Sequence, residues 1–325
     1  MISLIIPSYN KESYILETLE SINNQSFNDW ECIIVDDFSD DNSIEIINSF
    51  IKDKSKFKLI PKNINTGASS CRNIGLAQAK GKFVIFLDAD DIITKQCLKL
   101  RYDFMNKKTE LGFSVFPMGT FFNHIGDNSY VWNDFNGNHL CRFLSHELPW
   151  AICSVIWKKD TLNQLCGFDE SYFRLQDVEL HSRALLLRDI CYKTVSNLKP
   201  DCYYRISNER INDVVSFINN DFKAKLFFIE NFSFKLKNES FLKSYLCGTF
   251  FECYTTLFYF FEKSKINNDE FSIILSSIKY FQKKAIQSMF SNQILNFYIF
   301  LRSRKIYFKG MHYCFKKMFL AFRQL

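Results

Sequence analysis

Three carboxylates fall within four residues at Asp88-Ala89-Asp90-Asp91, directly after the apolar run Phe83-Val84-Ile85-Phe86-Leu87. An uninterrupted apolar run of that length reads as a fully buried strand. It delivers the acids to the carboxyl edge of a sheet, where open α/β folds bind ligands. Acids packed this closely repel one another and should weaken an empty site. They become favourable once a divalent cation and an anionic ligand are present, because Mg²⁺ prefers one or two carboxylates completed by substrate phosphates. The competing reading is a helix beginning at Asp91-Ile92-Ile93-Thr94, with the acids facing its dipole.

Such a turn needs other elements to bring partners to it, and the first hundred residues alternate strand and helix. Ile2–Pro7 is an apolar run ending in the polar loop Ser8-Tyr9-Asn10, and Ile15, Leu19 and Ile22 then share one helical face. Glu31–Val35 is a second strand ending at Asp36-Asp37-Phe38-Ser39-Asp40-Asp41, followed by a helix marked by Ile44, Ile47 and Ile51. Phe57–Ile60 is a third strand. A third helix is expected from Asn65-Thr66-Gly67 to about Ala79, with Gly81 as its C-cap. This alternation predicts βαβ units and an α/β fold with a mostly parallel central sheet flanked by helices. Short strands are expected at Phe113–Phe116, Ile152–Trp157 and Cys191–Val195, and a helix from Gln176 to Arg188. Beyond Ser207 the pattern changes to long helices rich in Phe, Leu, Lys and Asn.

Four strand-end loops thus supply polar groups to one crevice: Pro7-Ser8-Tyr9-Asn10, Val35-Asp36-Asp37-Phe38-Ser39-Asp40, Asn65-Thr66-Gly67-Ala68-Ser69-Ser70-Cys71-Arg72-Asn73-Ile74-Gly75 and Asp88-Ala89-Asp90-Asp91. In this order and spacing they resemble the nucleotide-sugar-binding half of the inverting family 2 glycosyltransferases, which have the GT-A fold. The resemblance extends over residues 1–205. It implies a nucleotide-diphosphate sugar as substrate, a UDP-sugar being commonest, with Mn²⁺ or Mg²⁺ bridging the phosphates as Lewis acid and template. By resemblance Asp90 contacts the metal and Asp88 lies near the ribose. Asp37 accepts from the base edge, Arg72 serves base and phosphates with its fixed fork, and Pro7 and Tyr9 line the nucleotide. Asp91 supports these or caps the next helix. Asp36, Asn65 and Asn73 have the plainer reading of residues that organise turns.

A second block, Leu165-Cys166-Gly167-Phe168-Asp169-Glu170 with Gln176-Asp177-Val178-Glu179-Leu180-His181-Ser182-Arg183, resembles the family's acceptor segment. Inversion needs one general base for the acceptor hydroxyl, and Asp177 is the candidate. Gln176 stands where the family usually has a Glu, which removes a like charge and should limit any rise in the pKa of Asp177. Glu179 is expected to pair with Arg183 at i+4. His181 and Gln176 are candidate acceptor contacts. Trp150 could stack on a sugar face or fill the core, and Arg205 could reach the diphosphate from a C-terminal loop. Nucleotidyl transfer would want a Gly-rich phosphate loop with a lysine near the first strand, which Pro7-Ser8-Tyr9-Asn10 does not offer. A nucleotide-sugar-binding relic without turnover stays open as the alternative.

The 325 residues are 47% apolar and 23% charged, which is globular composition. Eleven cysteines without a CxxC pair read as reduced thiols, and His139, Cys141 and His146 lack the paired spacing of a zinc site. The net charge of +6 is local. Seven of 41 basic residues lie in 291–325 with no acid beside them, leaving 34 basic against 35 acidic residues in 1–290. No nucleic-acid partner is expected. The expected organisation is a domain over 1–205, with the nucleotide sugar bound by 1–100 and the acceptor by 101–205, followed by a helical, basic region over 206–325. Tyr245–Phe261 is apolar but short for a bilayer span and carries Glu252, so it reads as a buried helix. Phe315, Phe319 and Phe322 with Lys316, Lys317 and Arg323 read as an interfacial helix on an anionic inner leaflet. The N-terminus lacks a signal-like basic segment. These features predict a cytoplasmic enzyme, peripheral at the inner membrane face, acting on a glycan or lipid-linked acceptor.

Overall fold

The computed structural model describes residues 1–132, 134–206, 213–285, 289–304, 306 and 310–322, and the backbone alone of 285, 289–292, 313 and 319–322. In chain order the elements are β1 (Ile2–Ser8), α1 (Ile15–Asn23), β2 (Trp30–Asp36), α2 (Ser43–Ile51), β3 (Phe57–Pro61), α3 (Ala68–Gln78), β4 (Phe83–Phe86) and β5 (Ile92–Ile93). Next come α4 (Cys97–Lys107), β6 (Phe113–Val115), β7 (Met118–Phe121), β8 (Val131–Trp132), α5 (His139–Leu144), β9 (Val155–Lys158), α6 (Lys159–Gln164), α7 (Gln176–Leu186), β10 (Tyr192–Thr194) and β11 (Cys202–Arg205). The rest is helical: α8 (Val214–Lys235), α9 (Ser240–Tyr245), α10 (Gly248–Glu262), α11 (Asn268–Ala285), α12 (Met289–Ser303) and α13 (Met311–Phe322).

The chain divides into two compact units, Met1–Gly137 with Pro149–Asn208, and Asn138–Leu148 with Glu209–Leu325. The division near 205 expected from sequence is thus modified. Residues 138–148, which include α5, leave the first unit and join the helical second one.

In the first unit a seven-stranded sheet runs β10-β6-β9-β4-β1-β2-β3. β1 pairs in parallel with β2 and β4, and β2 with β3, so the carboxyl ends of all four point the same way. The residues of β1, β2 and β4 are almost wholly buried, as strands covered on both faces must be, whereas the edge strand β3 buries only Phe57 fully. β9 is the exception to parallel order, inserted antiparallel between β4 and β6. The 3₁₀ turn Ile152–Ser154 takes the first half of the strand expected there. A smaller sheet, β5-β11-β7-β8, has no counterpart in the sequence reading. Its two-residue β5 replaces the helix considered at Asp91, and α4 begins only at Cys97.

Gly81 is not a C-cap. Ala79 ends α3 in extended backbone, and a Cβ on Gly81 would come within 2.6 Å of the Ser3 backbone nitrogen. Glycine is required there because the chain passes against β1.

The second unit buries an aromatic interior that includes Phe228, Phe232, Phe250, Phe251, Tyr254, Phe258 and Tyr298. Glu252 lies within it and is held ionised. Burial would raise its carboxyl, but hydrogen bonding to His312 and the charge of Lys316 outweigh this and bring it to about 2. Lys316 is turned inward onto Glu252, and Phe315 packs against Phe297 and Tyr298. Two residues expected to face a membrane are therefore internal, while the side chains of Phe319, Phe322 and Arg323 lie outside the described residues. Arg302 is also internal, bonded to Glu262 at 2.8 Å and to the Tyr298 hydroxyl at 3.1 Å. Among the described residues no helix is long and apolar enough to cross a membrane.

Candidate active site

The carboxyl ends of β1, β2 and β4 frame a cleft of about 280 Å³ lined by Pro7, Ser8, Tyr9, Lys11, Asp37, Ala68, Arg72, Asp88, Ala89, Asp90 and Tyr204. All six residues assigned by resemblance to the nucleotide and metal line this one cleft. Lys11 and Tyr204 were not singled out from sequence. Lys11 directly follows the first loop and Tyr204 directly precedes Arg205, so their positions, rather than any motif, were the available signal.

Each loop is braced by its own polar groups. Asp36 accepts from the Ser39 N–H and hydroxyl at 2.9 and 2.7 Å, so it acts as a loop-forming residue. Asp37 turns toward α3 and accepts the N–H groups of Thr66 and Gly67 at 3.0 and 2.7 Å, together with Lys62 Nζ. Burial would raise the Asp37 carboxyl, but these donors prevail and hold it below the usual carboxylate range. On the acid turn, Thr18 Oγ1 lies within donating distance of the Ala89 and Asp91 carbonyls, at 3.0 and 2.8 Å.

The acids do not stand together as uncompensated charge. Lys11 Nζ is 2.5 Å from Asp90 Oδ2, Arg72 Nη2 is 2.7 Å from Asp88 Oδ1, and Lys62 pairs with Asp37. This corrects the expectation of a repulsive empty site, since every cleft-lining carboxylate has a cation against it. Asp91 is different. It is buried beneath the turn, accepts the Arg205 N–H at 3.1 Å and caps no helix. Burial, reinforced by the charges of Asp88 and Asp90, pushes its carboxyl well above the ordinary value.

Arg205 does not reach toward the cleft. Its guanidinium bonds the Asp90 carbonyl at 3.0 Å and Glu17, and lies over the rings of Tyr14 and Phe121 at 4.9 and 4.3 Å. It fastens β11 beneath the acid turn. Below that, Arg101 grips Asp201 through two bonds of 2.9 and 2.6 Å.

The segment expected from sequence to serve an acceptor is tied to α3 by Asn73. Its Nδ2 donates to the Phe168 carbonyl at 2.9 Å and to Glu170 at 2.8 Å, while its Oδ1 accepts the Phe168 N–H at 2.8 Å. A Cβ on Gly167 would meet that Oδ1 at 2.5 Å. The loop so fixed leads to α7, where Arg183 pairs with Glu179 at 2.7 Å and donates to the Gly167 carbonyl at 2.8 Å. Asp177 lies in the first turn of α7, its Oδ1 accepting the Val178 N–H at 2.9 Å. Burial raises its carboxyl; the nearby Arg72 charge opposes the rise and the Asp88 charge adds to it. Gln176 is partly exposed and donates to the Phe173 carbonyl at 3.0 Å.

Trp150 and His181 are core residues here. Trp150 is buried, with ring contacts to Phe113, Phe135, His181 and Tyr192. His181 is fully buried and stacks on Trp157 with ring centroids 5.7 Å apart, and desolvation pushes its imidazole down to about 3. Neither lines the cleft.

No group of three or more His, Cys, Asp or Glu among the described residues forms a metal-holding cluster. Asp88 and Asp90 nevertheless suit Mg²⁺ or Mn²⁺ in the manner of sites completed by substrate phosphates. Arg72 has donor capacity beyond its bond to Asp88. Its Nε and Nη1 are buried and have no hydrogen-bond partner among the described residues.

Residues 3–149 match the family model for glycosyl transferase family 2. An uncharacterized glycosyltransferase of Haemophilus influenzae is 43% identical over 105 residues, covering 32% of this chain and 42% of the relative. The minor teichoic acid biosynthesis protein GgaA of Bacillus subtilis is 30% identical over 223 residues, covering 65% and 48%. The matched stretch spans less than half the length of either relative. The crystal structure of S. aureus TarS 1–349 in complex with UDP-GlcNAc superposes with a TM-score of 0.63 at 19% identity, covering 99% of this chain and 91% of that one.

Proposed function

We propose that the chain, whose residues 3–149 match the glycosyl transferase family 2 model and which has the GT-A fold, transfers a sugar from a UDP-sugar to an acceptor hydroxyl with inversion at the anomeric carbon. The acceptor in this reading is a glycan or lipid-linked glycan of a cell-surface polymer, supported by the teichoic acid role in the name of GgaA. A uridine nucleotide is supported by the ligand of the TarS complex. One observation carries the proposal. Arg72 is paired with Asp88 at 2.7 Å, and its charge also acts on Asp177, opposing the rise that burial gives that carboxyl.

In this mechanism Asp37 accepts from the base edge, Asp88 takes the ribose, and the unused Arg72 nitrogens receive base or phosphate oxygens. Asp90 would hold the divalent ion, which when bound supplies positive charge to the departing diphosphate. The acceptor hydroxyl approaches from the α7 side. Asp177, ionised but poorly solvated, takes its proton as the oxygen attacks the anomeric carbon, and the nucleoside diphosphate leaves on the opposite face. For the second unit, contact with the inner membrane leaflet is retained as a proposal on α12, where Phe297 and Phe300 are about half exposed.

The test is a screen of UDP- and GDP-sugars by thermal shift with Mn²⁺, followed by transfer assays on polyol-phosphate and glycolipid acceptors. UDP-sugar stabilisation with anomer-inverted product supports the reading. Nucleotide binding without turnover on any acceptor would favour a binding relic.

A further inference from the structure

Lys11 stands where a metal-dependent site has least obvious need of it. Its backbone is fixed: the N–H donates to Ser43 Oγ at 2.8 Å, and the carbonyl accepts from Tyr14 and Ile15 at 3.0 and 2.9 Å. The side chain leaves this anchor to line the cleft and places Nζ 2.5 Å from Asp90 Oδ2. Asp90 is the carboxylate assigned to the divalent ion. An ammonium and a metal compete for one carboxylate, because each would neutralise the same charge.

The neighbouring cations differ in freedom. Arg72 and Lys62 are nearly buried, with side chains 7% and 10% exposed, whereas those of Lys11 and Asp90 are 32% and 23% exposed. Lys11 also has a four-carbon stem on a fixed root, so its charge can sweep the cleft without backbone movement. Asp37, Asp88 and Asp90 each hold a cation, Lys62, Arg72 and Lys11 in turn. A divalent ion on Asp90 would compete with Lys11 for that carboxylate, while phosphates in the same cleft would offer its ammonium a short, charge-assisted bond.

Resting on the donor site assigned above, we propose that Lys11 is a built-in cation of that site. It holds Asp90 when no metal is bound, and pairs with the diphosphate of the nucleotide when nucleotide arrives, with or without metal. Lys11 is thus a positioning residue. It makes metal binding to the empty protein weak and couples it to nucleotide.

The test uses the full chain and its Lys11→Met and Lys11→Arg variants, with matched thermal midpoints as the check on folding. Two titrations by calorimetry give the readout, Mn²⁺ alone and UDP in EDTA. Lys11→Met is expected to bind Mn²⁺ alone about 3- to 10-fold more tightly and UDP in EDTA about 10-fold more weakly, the scale of one charge-assisted contact. Lys11→Arg should stay near wild type in the UDP titration. Unchanged UDP affinity in Lys11→Met, or unchanged Mn²⁺ affinity, would overturn the proposal. If wild type binds UDP under no condition, the donor site itself fails and the proposal with it. If wild type binds UDP but transfers no sugar, only the catalytic reading fails.

Discussion

Arg72 Nη2 donates to Asp88 Oδ1 at 2.7 Å while its Nε and Nη1 stay buried without a hydrogen-bond partner among the described residues. A guanidinium spending one arm of its fork on a carboxylate is set to give the others to an incoming anion. Arg72→Lys keeps the charge but loses the fork. UDP affinity should fall about 10-fold or more, the cost of roughly one good charged hydrogen bond. Calorimetric titration of both proteins measures this, and equal affinities would remove Arg72 from the binding reading.

Asp177→Asn separates base from scaffold. As general base, Asp177 should account for about 10²- to 10⁴-fold in turnover, with UDP affinity little changed. The pKa direction adds a stability test. The folded carboxyl sits above its unfolded value because burial disfavours the charged form, so its charge weakens the fold as pH rises through that pKa. Asparagine carries no such charge, and at pH 7 the variant should unfold no earlier than wild type. In wild type the acid limb of kcat/KM should lie above the usual carboxylate value of about 4. A pH–rate profile reads this directly.

His181 makes the opposite prediction. Its folded pKa is near 3 against an ordinary 6.5, so the unfolded chain binds the proton first. Stability from this group is full above about pH 6.5 and is lost as pH falls toward 3, on the order of 1 kcal/mol per pH unit. His181→Phe preserves a ring against Trp157 and removes the titration. Urea midpoints at pH 7 and pH 4.5 should differ less in the variant than in wild type.

Asn73→Ala should loosen the acceptor loop without touching the nucleotide. Three hydrogen bonds to Phe168 and Glu170 are lost, at a cost of about 1–3 kcal/mol. Turnover should fall through misplacement of Asp177, while UDP affinity in calorimetry stays within a factor of about three of wild type. A matching fall in UDP affinity would mean that Asn73 braces the nucleotide side instead.

The first four strands and their shared cleft were legible because buried parallel strands announce themselves as apolar runs, and their polar ends fall at fixed spacing. Pro7, Tyr9, Asp37, Arg72, Asp88 and Asp90 meet at one cleft for that reason. Elsewhere residue type alone did not decide the environment. Trp150 and His181 have rings suited to a sugar, yet their neighbours are Trp157, Phe113 and Tyr192 in the core. Arg205 was read by charge, but its place was set by the pairing of β11 with β5 and β7, a register that short strands leave unspecified. Lys11 gave no motif, and only three dimensions bring it 79 residues along the chain to Asp90.

The insertion of β9 between β4 and β6 sets a timetable for synthesis. The strands β3, β2, β1 and β4 are neighbours and are all complete by Phe86, so they can pair while the chain is still being made. β6 emerges next but cannot join them, because the ladder it needs on β4's side is Val155–Lys158. Some forty residues must leave the ribosome before that edge of the sheet closes, and β10 only then has a partner to extend. The nascent protein therefore forms β1 to β4 early, and carries the exposed apolar edge of β4 as an aggregation hazard until β9 arrives.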